Sequence, residues 1–192
     1  MAPKNKQLSA AEKAEIMGEG FSLAHQQEAQ ERYGNTADWA EYQRRTATMN
    51  SADWQNGKQQ AEEVEQALVE AFTRGVKPGS EEANALAERH RASLFFFEVT
   101  PAKHAILARG YVADPRFKAH YEKLATGLAE WLREVIYENA RAHGVDPENA
   151  AWGQAFGKRG PAAKRRQPGI KIRPDPPIRG IPGVPRCVGR RC

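Results

Sequence analysis

Apolar positions recur at helical spacing along most of this chain. Near its strongest point they fall at Leu128, Trp131, Leu132, Val135 and Ile136, intervals of three and four that line one side of a helix. That pattern predicts a helix over about 127–143, ended by Gly144. Trp54, Ala61, Val64, Leu68, Ala71 and Phe72 form a second stripe, on the longest helix, which Ser51 is expected to cap and Gly75 to end. Gly57 lies inside it at a cost of ~1 kcal/mol against alanine, which suggests a close packing contact. A third stripe, Ala83, Leu86, Ala87, His90, Leu94 and Phe97, comes after a Ser80 cap. Pro101 interrupts it, because proline removes a donor and biases the preceding residue away from helix.

Shorter helices fill the rest. Ser9 with Glu12 makes a capping box for a helix through about Met17. Another runs from Leu23 to Tyr33 and stops at Gly34-Asn35. Thr36 caps a third, with Trp39 and Tyr42. Residues 102–111 form one more, and Asp114 caps the next, with Pro115 at its first position. No alternating strand pattern is longer than the fragment 169–173. The fold class is all-α, with about seven or eight helices of unequal length, too varied for a regular four-helix bundle.

Composition divides the chain. Residues 151–192 hold 11 Lys and Arg against one acid, and seven of the 12 prolines; the first 150 residues hold 18 basic and 23 acidic residues. The net charge of +5 therefore hides an acidic globule joined to a strongly basic segment. The domain boundaries expected are a disordered start (1–8), a globule (9–146) and a disordered tail (147–192), since the tail cannot bury enough apolar area to offset its ordering entropy. Nucleic acid could be bound only through residues 151–192. The tail lacks aromatics for base stacking after Phe156, and it also reads as an altered reading-frame terminus. Both cysteines, Cys187 and Cys192, lie in it. No stretch approaches the ~20 apolar residues of a membrane span. The polar start does not read as a signal peptide, so a cytoplasmic protein with no membrane partner is expected.

Catalytic signatures are missing. There is no phosphate loop, no dinucleotide fingerprint and no nucleophile elbow. The five histidines, His25, His90, His104, His120 and His143, are not at zinc-site spacing. No enzyme, metal or cofactor is expected.

One run stands apart: HRASLFFFEVTPAKHAILARGYVADPRF, residues 90–117. It sets two imidazoles, three consecutive phenylalanines and a tyrosine around a helix break, the composition of an apolar cavity with a few polar groups at its mouth. His90 is either a core histidine satisfied by its neighbours or a ligand contact. Tyr111 is either a hydroxyl donor at the cleft mouth or core. Asn139 hydrogen-bonds another helix or a ligand amide. Trp39, Trp54 and Trp131 read as core before stacking platforms, with Trp39 or the early helices closing the cleft. The phenylalanines cannot all face one way, as consecutive helical residues point ~100° apart.

In order, Glu31-Arg32-Tyr33-Gly34-Asn35-Thr36, Asp53-Trp54, His90-Arg91, Thr100-Pro101 with His104, the segment from Tyr111 to Phe117, and Gly127-Leu128-Ala129 with Ile136, Asn139 and Ala140 make this chain resemble the TipAS domain. That family is the antibiotic-recognition module of some MerR-type activators and also occurs alone. The resemblance covers about residues 12–143. It implies a globin-like helical fold with a deep cleft, helices that order around drug, and binding of thiopeptides or albicidin-type polyaromatics. The expected ligand-lining residues are Trp39, His90, Leu94, Phe97, Val99, Thr100, His104, Tyr111 and Asn139. Two departures matter. No winged helix-turn-helix precedes residue 10, which reads as a stand-alone form. Thiopeptide-binding relatives bond the drug through a cysteine just before Thr-Pro, whereas here Phe96-Phe97-Glu98-Val99 offers no thiol. Binding should then be reversible, by a monomer, and should depend on an oily hollow between the helices.

Overall fold

The structure is a computed structural model that describes residues 8–18 and 21–152. The tail expectations, including the two cysteines and any nucleic-acid contact beyond residue 152, lie outside the described residues. Eight helices are found among the described residues: α1 (Ala10–Met17), α2 (Leu23–Tyr33), α3 (Ala37–Ala47), α4 (Ser51–Thr73), α5 (Glu81–Ser93), α6 (Pro101–Ala113), α7 (Pro115–Leu124) and α8 (Leu128–Ala142). The fold is all-α, as the periodicity predicts.

The helix starts obey local chemistry. The Ser9 hydroxyl accepts from the Glu12 amide while Glu12 returns to the Ser9 amide, so two orphan donors are satisfied reciprocally. Thr36, Ser80 and Asp114 cap their helices as expected, and Thr100, not foreseen as a cap, opens α6. The long helix departs from expectation by one residue. Its cap is Asn50, boxed with Asp53, and Ser51 is its first helical residue. Asn and Ser are near-equal caps, so the partner three residues on decides between them. Gly127 opens α8 at φ +88, a left-handed conformation that side chains rarely adopt, and its amide donates to Glu122.

α8 is the centre of the molecule. Leu128, Ala129, Leu132, Val135 and Ile136 are fully buried, and α8 packs against α4, α5, α6 and α7. The facing residues of α6, Ala102, Ala105 and Ala108, are small, which lets the two helices approach closely. Trp131 spans outward, and its indole donates to the Val76 carbonyl at 2.9 Å.

The first three helices differ in kind. Lys13 is the only buried residue of α1, Thr46 the only one of α3, and α2 has none. They form a lightly attached layer over a core built by α4 to α8. No helix among the described residues is long and apolar enough to cross a membrane.

Packing also continues past residue 146. Pro147 is fully buried, Ala150 is buried, and the Ala150 carbonyl accepts from Arg109 at 2.7 Å. The described packing thus continues through Ala150, four residues into the segment expected as tail.

Gly57 has its place in α4 because the ring of Phe95 lies over its backbone. A Cβ there would meet the ring at 2.5 Å. Gly57→Ala should therefore forgo the ~1 kcal/mol that alanine ordinarily contributes to a helix. Urea unfolding should show no gain in stability, with an altered near-UV circular dichroism as Phe95 is displaced. A full gain with an unchanged aromatic spectrum would contradict this packing.

Candidate functional site

The site is built around the break between α5 and α6. The sequence stripe carries α5 on to Phe97, but the helix stops at Ser93. Leu94 leaves the helical region, at φ −81 and ψ 61. Thr100 must be extended to precede Pro101 and to cap α6, so the chain between cannot continue as helix. Leu94 and Phe97, expected on the helix face, belong instead to this connecting segment, both half-buried.

Across the break the two imidazoles meet. His90 Nδ1 lies 2.9 Å from His104 Nε2, so one of the two facing nitrogens donates to the other. His90 Nε2 lies 3.2 Å from the Tyr121 hydroxyl. Tyr111 stands edge-on to His90, and its ring packs against Tyr121 at 5.2 Å between centroids. All four are buried. Burial lowers the pKa of His90 to about 4 against a weaker opposing pull from Glu65. Burial, then the neighbouring His90 and Arg91, puts His104 well below the usual imidazole value. Both are neutral core histidines, and Tyr111 is core, not a donor at a cleft mouth. The expected hollow at this point is filled by the cluster itself. His104 Nδ1 is buried without a partner.

Asn139 is also interior. Its amide donates to Glu88 at 2.6 Å, and Glu88 receives the Arg91 guanidinium. Burial works to raise the Glu88 pKa, but the hydrogen bonds from Arg91 and Asn139 outweigh it and hold the carboxyl below its usual range. Arg91 in turn donates to the Val99 carbonyl at 2.7 Å. Asn139 and Val99 therefore anchor the connecting segment. Thr100 is occupied as the α6 cap.

The three phenylalanines diverge. Phe95 covers Gly57. Phe96 enters an aromatic cluster with Phe21 at 5.7 Å, Trp54 at 5.6 Å, Tyr42 at 5.8 Å and Phe95 at 4.2 Å between ring centroids. Trp39 joins it through Tyr42 at 5.0 Å. Phe97 points elsewhere, toward Lys103 and Trp152. Trp54 is fully buried in the cluster, and its indole N–H has no acceptor. An orphan donor of this kind costs roughly 1–3 kcal/mol. Sequence reasoning does not place Phe21, Tyr42, Trp54 and Phe96 among the lining residues; an unpartnered donor has no signature in a one-dimensional pattern.

Polar links fasten the outer layer over this cluster. Arg45 of α3 donates to the Phe95 carbonyl at 2.9 Å, and Lys103 pairs with Asp38 at 2.6 Å. Arg116 of α7 reaches Glu28 of α2 at 2.8 Å. Hydrogen bonds from Asp114 first, then Glu28, raise the Arg116 pKa further above its already high value. A separate open groove of about 740 Å³ runs between α1 and α4, lined by Glu12, Ile16, Gln55 and Lys58 among others; none of the sequence-named residues lines it. Among the described residues no three His, Cys, Asp or Glu side chains are grouped to hold a metal ion.

A sequence model of the TipAS antibiotic-recognition domain matches residues 25–139. The chain belongs to the TipAS family. The HTH-type transcriptional activator TipA of Streptomyces coelicolor is 30% identical over 138 residues, 71% of this chain and 54% of that protein. The HTH-type transcriptional regulator SkgA of Caulobacter vibrioides is 35% identical over 92 residues, 46% of this chain and 36% of its own length. The chain thus spans about half, or less, of the curated relatives it matches. A solved structure of TipAS in complex with nosiheptide, from a thiopeptide resistance system of Streptomyces lividans, has a TM-score of 0.61 at 29% identity, covering 71% of this chain and 96% of that one. The TipAS match contains α3 to α7 whole, nearly all of α2 and most of α8, and with them every sequence-named site residue.

The buried imidazoles predict an acid limit to stability. An unfolded imidazole takes a proton near pH 6.5, whereas folded His90 resists it down to about pH 4. Below pH 6.5 the unfolded chain binds more protons, so stability falls as pH drops from 6.5 toward 4. Urea titrations across that window should show a loss on the order of 2 kcal/mol, with a shallower slope in His90→Gln. An unchanged slope in the variant would acquit the pair.

Proposed function

We propose that this protein captures a bulky, largely apolar, multi-ring antibiotic of thiopeptide or albicidin type, reversibly and without a covalent bond, and so withdraws it from its target. The observation that carries this is the aromatic cluster beneath α1 to α3, with the orphan N–H of Trp54 at its heart. The roof over it is the least buried part of the fold, and segments with few buried apolar contacts open at low free-energy cost. Rings of a drug would replace Phe21 and part of the α1 to α3 layer, and a carbonyl or azole nitrogen would accept from Trp54. TipAS membership and the likeness to a nosiheptide-bound TipAS support the reading.

The energetics suffice. Burying ~400 Å² of apolar drug surface contributes ~10 kcal/mol gross at ~25 cal/mol per Å². Association, ordering and the opening of the closed form consume much of it. Micromolar or tighter binding remains. With Val99 before Thr100-Pro101 and no thiol in the segment, no nucleophile is placed to trap a dehydroalanine.

A second reading is favoured by the relatives: the domain serves as the effector-sensing part of an HTH-type regulator, as in TipA. The two readings share the site and differ in whether promoter activity responds to drug binding.

Titrating tryptophan fluorescence with nosiheptide should give a saturable change with Kd at or below tens of micromolar. Mass spectrometry of the complex should return the unmodified protein mass. Phe96→Ala should weaken binding about tenfold or more, and hydrogen exchange in α1 to α3 should slow on binding. No response at tens of micromolar to nosiheptide or an albicidin-like compound would defeat the proposal.

A further inference from the structure

Beside the aromatic cluster lies a second niche, made by Asp38, Phe97 and Lys103, and the chain fills it with its own Trp152. The Trp152 indole donates to Asp38 Oδ2 at 2.5 Å. Asp38 Oδ1 accepts from Lys103 Nζ at 2.6 Å, and the same ammonium donates to the Glu98 carbonyl at 3.1 Å. Lys103 Nζ stands 5.7 Å from the centroids of both the Phe97 and the Trp152 rings, within cation–π range. The Asp38 and Lys103 side chains are only 20% and 14% exposed.

We propose that this niche is a subsite for a planar aromatic ring bearing an N–H donor, and that Trp152 is an internal occupant which such a ring of the ligand displaces. This rests on the capture reading above. The chemistry selects the ligand. A half-buried carboxylate with one oxygen committed to Lys103 leaves the other in want of a donor, and leaving it unmade is costly. The flat space between Phe97 and the ammonium accepts an aromatic face. A plain hydrocarbon ring would satisfy the second demand and fail the first. The plug belongs to no helix. Pro147 and Ala150 are buried and Ala150 is tied to Arg109, so the strap is anchored two residues before Trp152, which is itself half-exposed. The swing costs no helix.

An internal occupant and a simple fastener of the lid make opposite forecasts. If Trp152 competes with the ligand, Trp152→Ala tightens nosiheptide binding about tenfold, the size of one charge-assisted hydrogen bond. Trp152→Phe, which keeps the ring and loses the donor, falls between. If Trp152 only fastens the lid, Trp152→Ala weakens binding or leaves it unchanged, and the proposal is overturned. In the unsubstituted protein the Trp152 indole proton resonance should shift on adding nosiheptide. A second arm needs no antibiotic. Trp152→Ala should bind free indole about tenfold better than benzofuran, its isostere without the donor, as monitored by amide chemical shifts around Asp38 and Lys103. Adding Asp38→Asn should erase that preference. Equal binding of indole and benzofuran overturns the subsite, whatever nosiheptide does. Should nosiheptide bind no variant, the capture reading fails and the indole arm alone decides the niche.

Discussion

The contact between His90 and His104 is the constraint on which the working end of this protein depends. It is a hydrogen bond between two imidazoles, roofed by Tyr121 and Tyr111, in a place where burial keeps both rings neutral near pH 7. It fixes α5 against α6 on either side of a break that the backbone has to make before Pro101. The segment between them must then bulge away from the core. Arg91, held by Glu88 and through it by Asn139, clamps that bulge from behind at the Val99 carbonyl. Beside that pair, Arg91 at the Val99 carbonyl and Arg45 at the Phe95 carbonyl tie the phenylalanine segment down.

The clamp divides the labour among three adjacent residues. Phe95 is pressed onto Gly57 and locates the segment on α4. Phe96 is offered to the α1 to α3 layer. Phe97 faces the Lys103 side. A continuous helix would have spread them by ~100° steps around one axis. The turn sends two of them into separate environments, one apolar with an orphan donor, one built on an ion pair. Such a pairing suits a large ligand that has both unfunctionalised rings and rings carrying N–H or carbonyl groups.

The stability of the molecule is distributed accordingly. α8 and the alanine face of α6 make a dry, close-packed centre that gains most of the burial. The outer layer is held by Arg116, Lys103 and Arg45 together with a few ring contacts. An exposed ion pair such as Arg116 with Glu28 is worth ~0–1 kcal/mol, so that fastening is weak, whereas the Lys103–Asp38 pair is shielded from solvent. On the proposed capture reading, a strong core under a weak roof would let part of the fold rearrange around a guest without unfolding the rest.

The sequence by itself determined the helical class, nearly every helix start and the break before Pro101. Caps, glycines and prolines act through neighbours three or four residues away, so they are legible in one dimension. The TipAS pattern is legible for the same reason, as short motifs in fixed order. The tertiary structure decided what each marked residue does. His90, His104, Tyr111 and Asn139 stand out in the sequence, yet the hydrogen-bond partners of His90, His104 and Asn139 lie 14 to 51 residues distant, and packing turned all four into internal supports. Phe21 and Trp152 gained their standing only in space, as did the unpartnered N–H of Trp54. An indole with no acceptor, and another whose acceptor is 114 residues away, are facts about distances that periodicity does not carry.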